Sequence, residues 1–166
     1  MKKILLSLTL MLLPLFAYAQ STQKIAVVDT QEILMAMPET KSMQTELDAL
    51  MKKFEDTIVV MQEEFQTKYK AYVAEQEGMV ESIKLRKEQE LQDMAQRLDD
   101  LGKTAQEEVQ KKRMELFEPI QKKVMTAIQT VGADNGYAYV LDKSAMVYVG
   151  TTGIDATAQV KAKLGL

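Results

Sequence analysis

Residues 74–82 read AEQEGMVES, and they interrupt a helical apolar pattern that has run for more than thirty residues. On either side of Gly78 lie two charged segments of nearly equal length, residues 39–77 and 81–118. Two equal arms about a central turn predict an antiparallel helical hairpin with its tip near residues 76–83.

A single helix of about 80 residues is the alternative, because one glycine costs only about 1 kcal/mol in a helix interior. Two prolines favour the hairpin, since Pro38 precedes the first arm and Pro119 follows the second. Pro38 suits the first position of a helix. Pro119 is expected to interrupt or kink the second arm.

The first arm carries one apolar stripe whose spacing repeats every eleven residues. Eleven residues over three turns is close to the natural helix period, so the stripe stays on one face of a nearly straight helix. In the second arm the stripe is less regular. The first stripe comprises Met43, Leu47, Leu50, Phe54, Ile58, Met61, Phe65, Tyr69 and Tyr72, and the second Ile83, Leu91, Met94, Leu98, Leu101, Ala105, Val109, Leu116, Phe117 and Ile120.

Short β-rich segments flank the hairpin. KIAVV at residues 24–28 predicts a buried strand followed by a short helix capped by Asp29. YAYVLD at 137–142 and AMVYVG at 145–150 predict two more strands, joined through Lys143 and Ser144.

The second arm's helix is expected to continue past Pro119 and to end at the turn of Asn135 and Gly136, and a last helix is expected over about 155–164. The predicted fold class is therefore α+β and mostly α. A sheet of three short strands is too small to be stable alone, so the sequence predicts oligomerisation through it.

The N-terminus predicts a secreted protein. Residues 1–19 combine Lys2 and Lys3, an apolar run and a small-residue cleavage signal, which is typical of a signal peptide. No later segment has the length of apolar sequence that a membrane helix needs. The domain organisation follows as a signal peptide at 1–19, a β-containing body at 20–38 and 119–166, and a hairpin arm at 39–118.

Composition disfavours catalysis and nucleic-acid binding. The chain has no cysteine and no histidine, which removes thiol chemistry, thiolate metal sites and the commonest general base. Removing Lys2 and Lys3 with the signal peptide takes the formal charge from −3 to −5, and the dibasic pairs alternate with acidic ones. We therefore expect no enzyme activity, no cofactor, no metal site and no nucleic-acid partner.

Apolar residues near the predicted tip have two interpretations. They pack the two arms together at the turn, or they project and contact another protein. The candidates for such contact are Phe65, Tyr69, Tyr72, Met79, Val80 and Ile83. The candidates for the oligomerisation body are Ile25, Val27, Val28, Tyr139, Val140, Leu141, Val147 and Val149.

The order of these elements resembles the Skp/OmpH family of periplasmic chaperones over essentially the whole mature chain. The resemblance lies in the segment VVDTQEILMAMPETK at 27–41, the charged hairpin, and NGYAYVLDKSAMVYVG at 135–150. It implies a homotrimer in which strands from three subunits form a small barrel-like body and three hairpins surround a cavity. It also implies an ATP-independent holdase for unfolded outer-membrane proteins in the periplasm of a Gram-negative bacterium.

The charge departs from the best-known members of that family, which are strongly basic. Residues 39–118 hold 13 basic and 19 acidic side chains, a net charge of −6. This acidity disfavours contact with anionic lipid or lipopolysaccharide, so capture is expected to depend on apolar contact. A structural coiled-coil spacer of the cell envelope is the alternative function.

Overall fold

The structure, a computed structural model, describes residues 23–166, so the predicted signal peptide lies outside the described residues. In chain order these residues form β1 (Lys24–Val28), α1 (Thr30–Ala36), α2 (Pro38–Glu75), a 3₁₀ turn (Gln76–Gly78), α3 (Glu81–Asn135), β2 (Tyr137–Asp142), a second 3₁₀ turn (Lys143–Ala145), β3 (Ile154–Asp155) and α4 (Thr157–Leu164). The predicted fold class, mostly helical with a small three-strand sheet, is confirmed. Among the described residues, no helix combines the length and apolarity needed to cross a membrane.

The chain divides into two compact units. The hairpin unit is Leu34–Lys123, and the sheet unit comprises the described residues up to Ile33 together with Val124–Leu166. Helix α3 contributes residues to both units. Each unit is described separately below.

In the hairpin unit the chain turns back on itself near Gly78, as predicted. Five pairs of polar side chains join α2 to α3, namely Lys68 with Glu90, Tyr72 with Glu88, Lys87 with Glu75, Lys112 with Glu46, and Lys123 with Glu39. The sequence midpoint of every pair falls at residues 79–81. The two helices are therefore antiparallel and in register along their length.

The eleven-residue stripe is the face of α2 that packs. All of its members except Tyr69 are buried or half-buried, and Leu47 is only 1% exposed. The stripe on α3 behaves in the same way, except that Ile83 is exposed. Across Leu34–Lys123 only Met37, Leu47, Met94 and Ile120 are buried, so the hairpin unit has a narrow and thin core.

The prediction for Pro119 was wrong in one respect, because α3 runs without interruption from Glu81 to Asn135 through this proline. Proline removes a single backbone donor, the N–H that would bond the carbonyl of Glu115. The neighbouring turns of this 55-residue helix continue on both sides. Pro38, by contrast, occupies the first turn of α2 as predicted.

In the sheet unit the three strands are parallel, in the order β2-β1-β3. Strands β1 and β2 match the prediction, with Ile25 opposite Tyr139 and Val27 opposite Leu141. Ala26, Val28 and Ile33 form the core of this unit with apolar residues of α3, of α4 and of the position before α4, which are Val124, Ala127, Ile128, Val131, Val160 and Ala156.

The third strand was predicted in the wrong place. Residues 145–150 form no strand; Lys143–Ala145 is a 3₁₀ turn, and the strand that pairs with β1 is Ile154–Asp155. Val147 is fully exposed and Tyr148 nearly so. β-branched and aromatic residues favour strands when a neighbouring strand half-buries them, and the described chain offers this segment no such neighbour.

Two turn glycines differ in backbone conformation, which predicts opposite effects of adding a methyl group. Gly136 ends α3 with φ of +65°, whereas Gly78 has no positive φ and open space where a Cβ would lie. We expect Gly136→Ala to reduce the free energy of unfolding by about 1–2 kcal/mol. Gly78→Ala should leave it unchanged or raise it by up to about 1 kcal/mol.

Urea unfolding of both variants, followed by circular dichroism, measures this difference. If Gly78→Ala destabilised the protein as much as Gly136→Ala, the conformation described for the hairpin turn would be wrong.

Candidate functional site

The outer half of the hairpin is held by polar contacts on its surface. The ammonium of Lys68 bonds the carboxylate of Glu90, and this hydrogen bond lowers the pKa of Glu90 and raises that of Lys68. The hydroxyl of Tyr72 donates to the Glu88 carboxylate, which raises the pKa of Tyr72 to about 12. Exposed pairs of this kind contribute little stability individually. Their main effect is therefore on the register of α2 against α3, and not on how strongly the two helices associate.

The sequence-predicted residues of the arm and tip fall into two groups. Phe65, Tyr72 and Met79 are half-buried, with Phe65 and Tyr72 in the packed stripe of α2. Tyr69, Val80 and Ile83 are exposed, and Val80 is 70% exposed. The rings of Phe65 and Tyr69 stack with centroids 6.1 Å apart. The second group is therefore accessible to another molecule, whereas Phe65 and Tyr72 of the first group lie on the face of α2 that packs.

A second row of residues on α2 was missed by the sequence analysis. Val59, Gln62, Gln66, Tyr69 and Val73 succeed one another at spacings of three and four residues, and all are exposed. Such spacing places them on one side of the helix, beside the packed stripe. We call these five residues the lateral stripe. Its spacing of three and four residues is visible in the sequence. The eleven-residue pattern beside it is more regular, and only that pattern was interpreted as the apolar face of α2.

The sheet has one packed face and one exposed apolar face. Ala26, Val28 and Val140 share the packed face, where a methyl group on Gly132 of α3 would lie 3.3 Å from Cγ2 of Val140. The opposite face of β1 and β2 carries three exposed apolar side chains, those of Ile25, Tyr139 and Leu141. We call these three residues the open sheet face.

The remaining candidates for the oligomerisation body differ in exposure. Val27 lies on the same side of the sheet as the open sheet face but is only 5% exposed. Val147 is fully exposed and Val149 is half-buried, both outside any strand. Within the described residues the outer edge of β2 has no strand beside it.

An aspartate at the carboxyl end of each strand starts the next helical turn, which the sequence analysis noted only for Asp29. The Asp29 carboxylate accepts from the N–H of Glu32 at 2.9 Å, Asp142 from Ser144 at 2.7 Å, and Asp155 from Thr157 at 2.9 Å. These bonds satisfy backbone donors that a helix start leaves unpaired.

Two further hydrogen bonds and one cation connect these caps. The Thr30 hydroxyl donates to Asp142, and the N–H of Asp29 donates to the Thr157 hydroxyl at 2.9 Å. The Lys143 ammonium lies 3.9 Å from both Asp29 and Asp155. The three aspartates therefore stabilise the ends of the strands and the helical turns that follow them. Among residues 23–166 no set of three or more potential ligand side chains is arranged to hold a metal ion.

Comparisons with known proteins assign the family. The chain matches the family model described as outer membrane protein (OmpH-like) over residues 24–164, so it belongs to the OmpH-like family. It is 29% identical to the chaperone protein Skp of Photorhabdus luminescens over 147 residues, which is 87% of each chain. Its fold matches that of an OmpH-like protein from Caulobacter crescentus with a TM-score of 0.75 over 89% of both chains, at 18% identity. The resemblance predicted from the sequence is confirmed.

The strand-end aspartates predict acid sensitivity of the sheet unit. Hydrogen bonds from Ser144 and Thr30 lower the pKa of Asp142, and those from Thr157 lower the pKa of Asp155. A carboxylate whose pKa is lower in the folded state stabilises the fold above its unfolded pKa, and that stability is lost as the pH falls through the folded pKa. Asp155→Asn keeps an acceptor oxygen for Thr157 but cannot titrate.

We therefore expect the free energy of unfolding of Asp155→Asn to fall less steeply than that of the wild type between about pH 5 and pH 2. Urea unfolding at a series of pH values measures both slopes. Parallel curves for the two proteins would show that Asp155 contributes no pH dependence.

Proposed function

We propose that this protein is an ATP-independent holdase chaperone of the periplasm, which binds unfolded outer-membrane proteins between the hairpin arms of an oligomer and prevents their aggregation. The observation that carries the proposal is the thin core of the hairpin unit together with the exposed apolar residues that remain on it. The names of the OmpH-like family and of the Skp relative support the client class.

The packing of the hairpin unit suits adaptable binding. With four buried residues between Leu34 and Lys123 and polar contacts at the surface, α2 and α3 have little to hold them in one fixed separation. Tyr69, Val80 and Ile83 offer apolar contacts that are individually weak. Several arms acting on one client add such contacts through effective concentration, so capture needs no single strong site and no nucleotide.

The sheet unit supports association of several copies. The open sheet face of Ile25, Tyr139 and Leu141 lies beside the unpaired edge of β2, and the exposed Val147 and Tyr148 add apolar surface to the same unit. Contiguous apolar surface and an open strand edge are features that soluble proteins normally cover. We propose that copies of this chain cover them by forming a trimer.

Dilution of a urea-unfolded outer-membrane β-barrel protein into buffer tests the chaperone activity. The mature protein at one trimer per client should suppress light scattering without ATP. A structural spacer of the envelope would leave scattering unchanged, and that result would contradict the proposal.

The same assay tests the role of the arms. Replacing residues 70–90 with a short Gly-Ser linker removes the facing ends of α2 and α3, because residues 70 and 90 are equally far from the centre of the hairpin near residue 80. This variant should keep the oligomer and lose most of its suppression of scattering. Full suppression by a shortened protein would show that clients bind outside residues 70–90.

A charge on the open sheet face should prevent association. Tyr139→Glu places a carboxylate where apolar contact between copies is proposed, so light scattering after size exclusion should give the mass of one chain. Met125→Glu is the matched control, because Met125 is exposed to a similar extent on α3 in the same unit. Equal masses for both variants and the wild type would exclude this face as the interface.

A further inference from the structure

The lateral stripe is the longest uncharged row on the exposed surface of α2. Its members, Val59, Gln62, Gln66, Tyr69 and Val73, span four turns of the helix, and none carries a charge. This is unusual for the arms, because residues 39–118 contain 32 charged side chains and have a net charge of −6. The packed stripe accounts for the apolar residues that hold α2 to α3, whereas all five members of the lateral stripe are exposed, and Tyr69 is the one residue that the two stripes share.

The two glutamines of the stripe have hydrogen-bonding capacity that the protein does not use. Gln44, Gln89 and Gln96 each donate to an aspartate four residues further along the helix, at 2.7–3.0 Å. Four residues after Gln62 is Gln66, and four after Gln66 is Lys70, so neither has such a partner. Within the described residues the amides of Gln62 and Gln66 form no hydrogen bond.

The surface around these amides is a shallow, open groove of about 740 Å³. It is lined by Val59, Gln62, Phe65, Gln66 and Thr67 and by the charged neighbours Glu63 and Lys70. Side-chain amides one helical turn apart lie about 5–6 Å from each other. Each presents two N–H donors and one carbonyl acceptor, flanked by the apolar side chains of Val59 and Tyr69.

We propose that the lateral stripe is the surface that holds the client, and that it binds an extended, uncharged segment whose backbone is unpaired. An unfolded chain differs from a folded one in exposing backbone N–H and C=O groups together with apolar side chains. The Gln62 and Gln66 amides match the first of these features, and Val59, Tyr69 and Val73 match the second. Because the five stripe residues carry no charge, although Glu63 and Lys70 border them, they can contact uncharged segments of differing sequence. This inference rests on the proposed chaperone function.

Converting the amides to carboxylates tests the stripe without disturbing the helix. Gln62→Glu with Gln66→Glu preserves shape and helix propensity, removes all four N–H donors and adds two negative charges. Gln106→Glu with Gln110→Glu is the matched control, because these exposed residues of α3 have the same spacing and the change adds the same charge. We expect the stripe variant to bind an unfolded, fluorescently labelled β-barrel client roughly tenfold more weakly than the wild type, and the control to bind within about twofold.

Photo-crosslinking gives a second measurement that does not depend on charge. A photoreactive amino acid in place of Gln66 should form a covalent adduct with the unfolded client, and the same residue in place of Gln110 should form much less. Each variant also requires the circular dichroism spectrum and oligomeric mass of the wild type.

The outcomes separate this inference from the proposed function. A wild-type protein that captures no client would overturn both. Suppose instead that the stripe variant captures the client as well as the wild type does, and that positions 66 and 110 crosslink equally. That result would leave the chaperone function in place and exclude the lateral stripe as its binding surface.

Discussion

The hairpin depends on one constraint, which is that each of its helices has a single narrow face to bury. An apolar stripe with a period close to that of the α-helix stays on one side for the whole length of α2, and only one antiparallel partner can cover it. The residues that pack are half-buried for the most part, and the buried exceptions in the two stripes are Leu47 on α2 and Met94 and Ile120 on α3. The rest of each helix surface is left to solvent or to other molecules.

The sheet unit solves a different problem, because its strands are too short to be stable without other support. The first strand is covered on one side by apolar residues of α3 and α4, and each strand end is fixed by an aspartate. Hydrogen bonds of Thr30 and Thr157 also link these caps to one another. The residues that cap each helical turn therefore also join segments that are far apart in the sequence. The face with Ile25, Tyr139 and Leu141 has no such cover in a single chain.

Much of this architecture could be predicted from the sequence, because the relevant signals are local and periodic. Residues close to one another in the sequence determine four such features, which are the repeat in α2, the proline at its start, the strand KIAVV and the turn at Gly136. The position of the third strand could not be predicted in this way. Residues 145–150 have stronger strand composition than Ile154–Asp155, but pairing with β1 depends on which segment reaches its edge.

The candidate site was predictable only in part for a similar reason. The aromatic and apolar candidates of α2 can be picked out by residue type, but burial separates Phe65 and Tyr72 from Tyr69, and that separation depends on the face of α2 that meets α3. Gln62 and Gln66 carry no signal by residue type. They differ from Gln44, Gln89 and Gln96 in having no aspartate four residues further along the helix, and their place in the lateral stripe depends on which face of α2 stays exposed.

The pairing of β1 with β2 has a consequence for synthesis of the chain. These neighbouring parallel strands are separated in sequence by residues 29–136, so a ribosome releases the first long before its partner exists. Until then the apolar residues of β1 stay unprotected. Helix formation and closure of the hairpin involve nearer neighbours and can precede the sheet. Once Glu39 pairs with Lys123, the loop left to close contains only residues 29–38 and 124–136, which lowers the entropic cost of pairing β1 with β2.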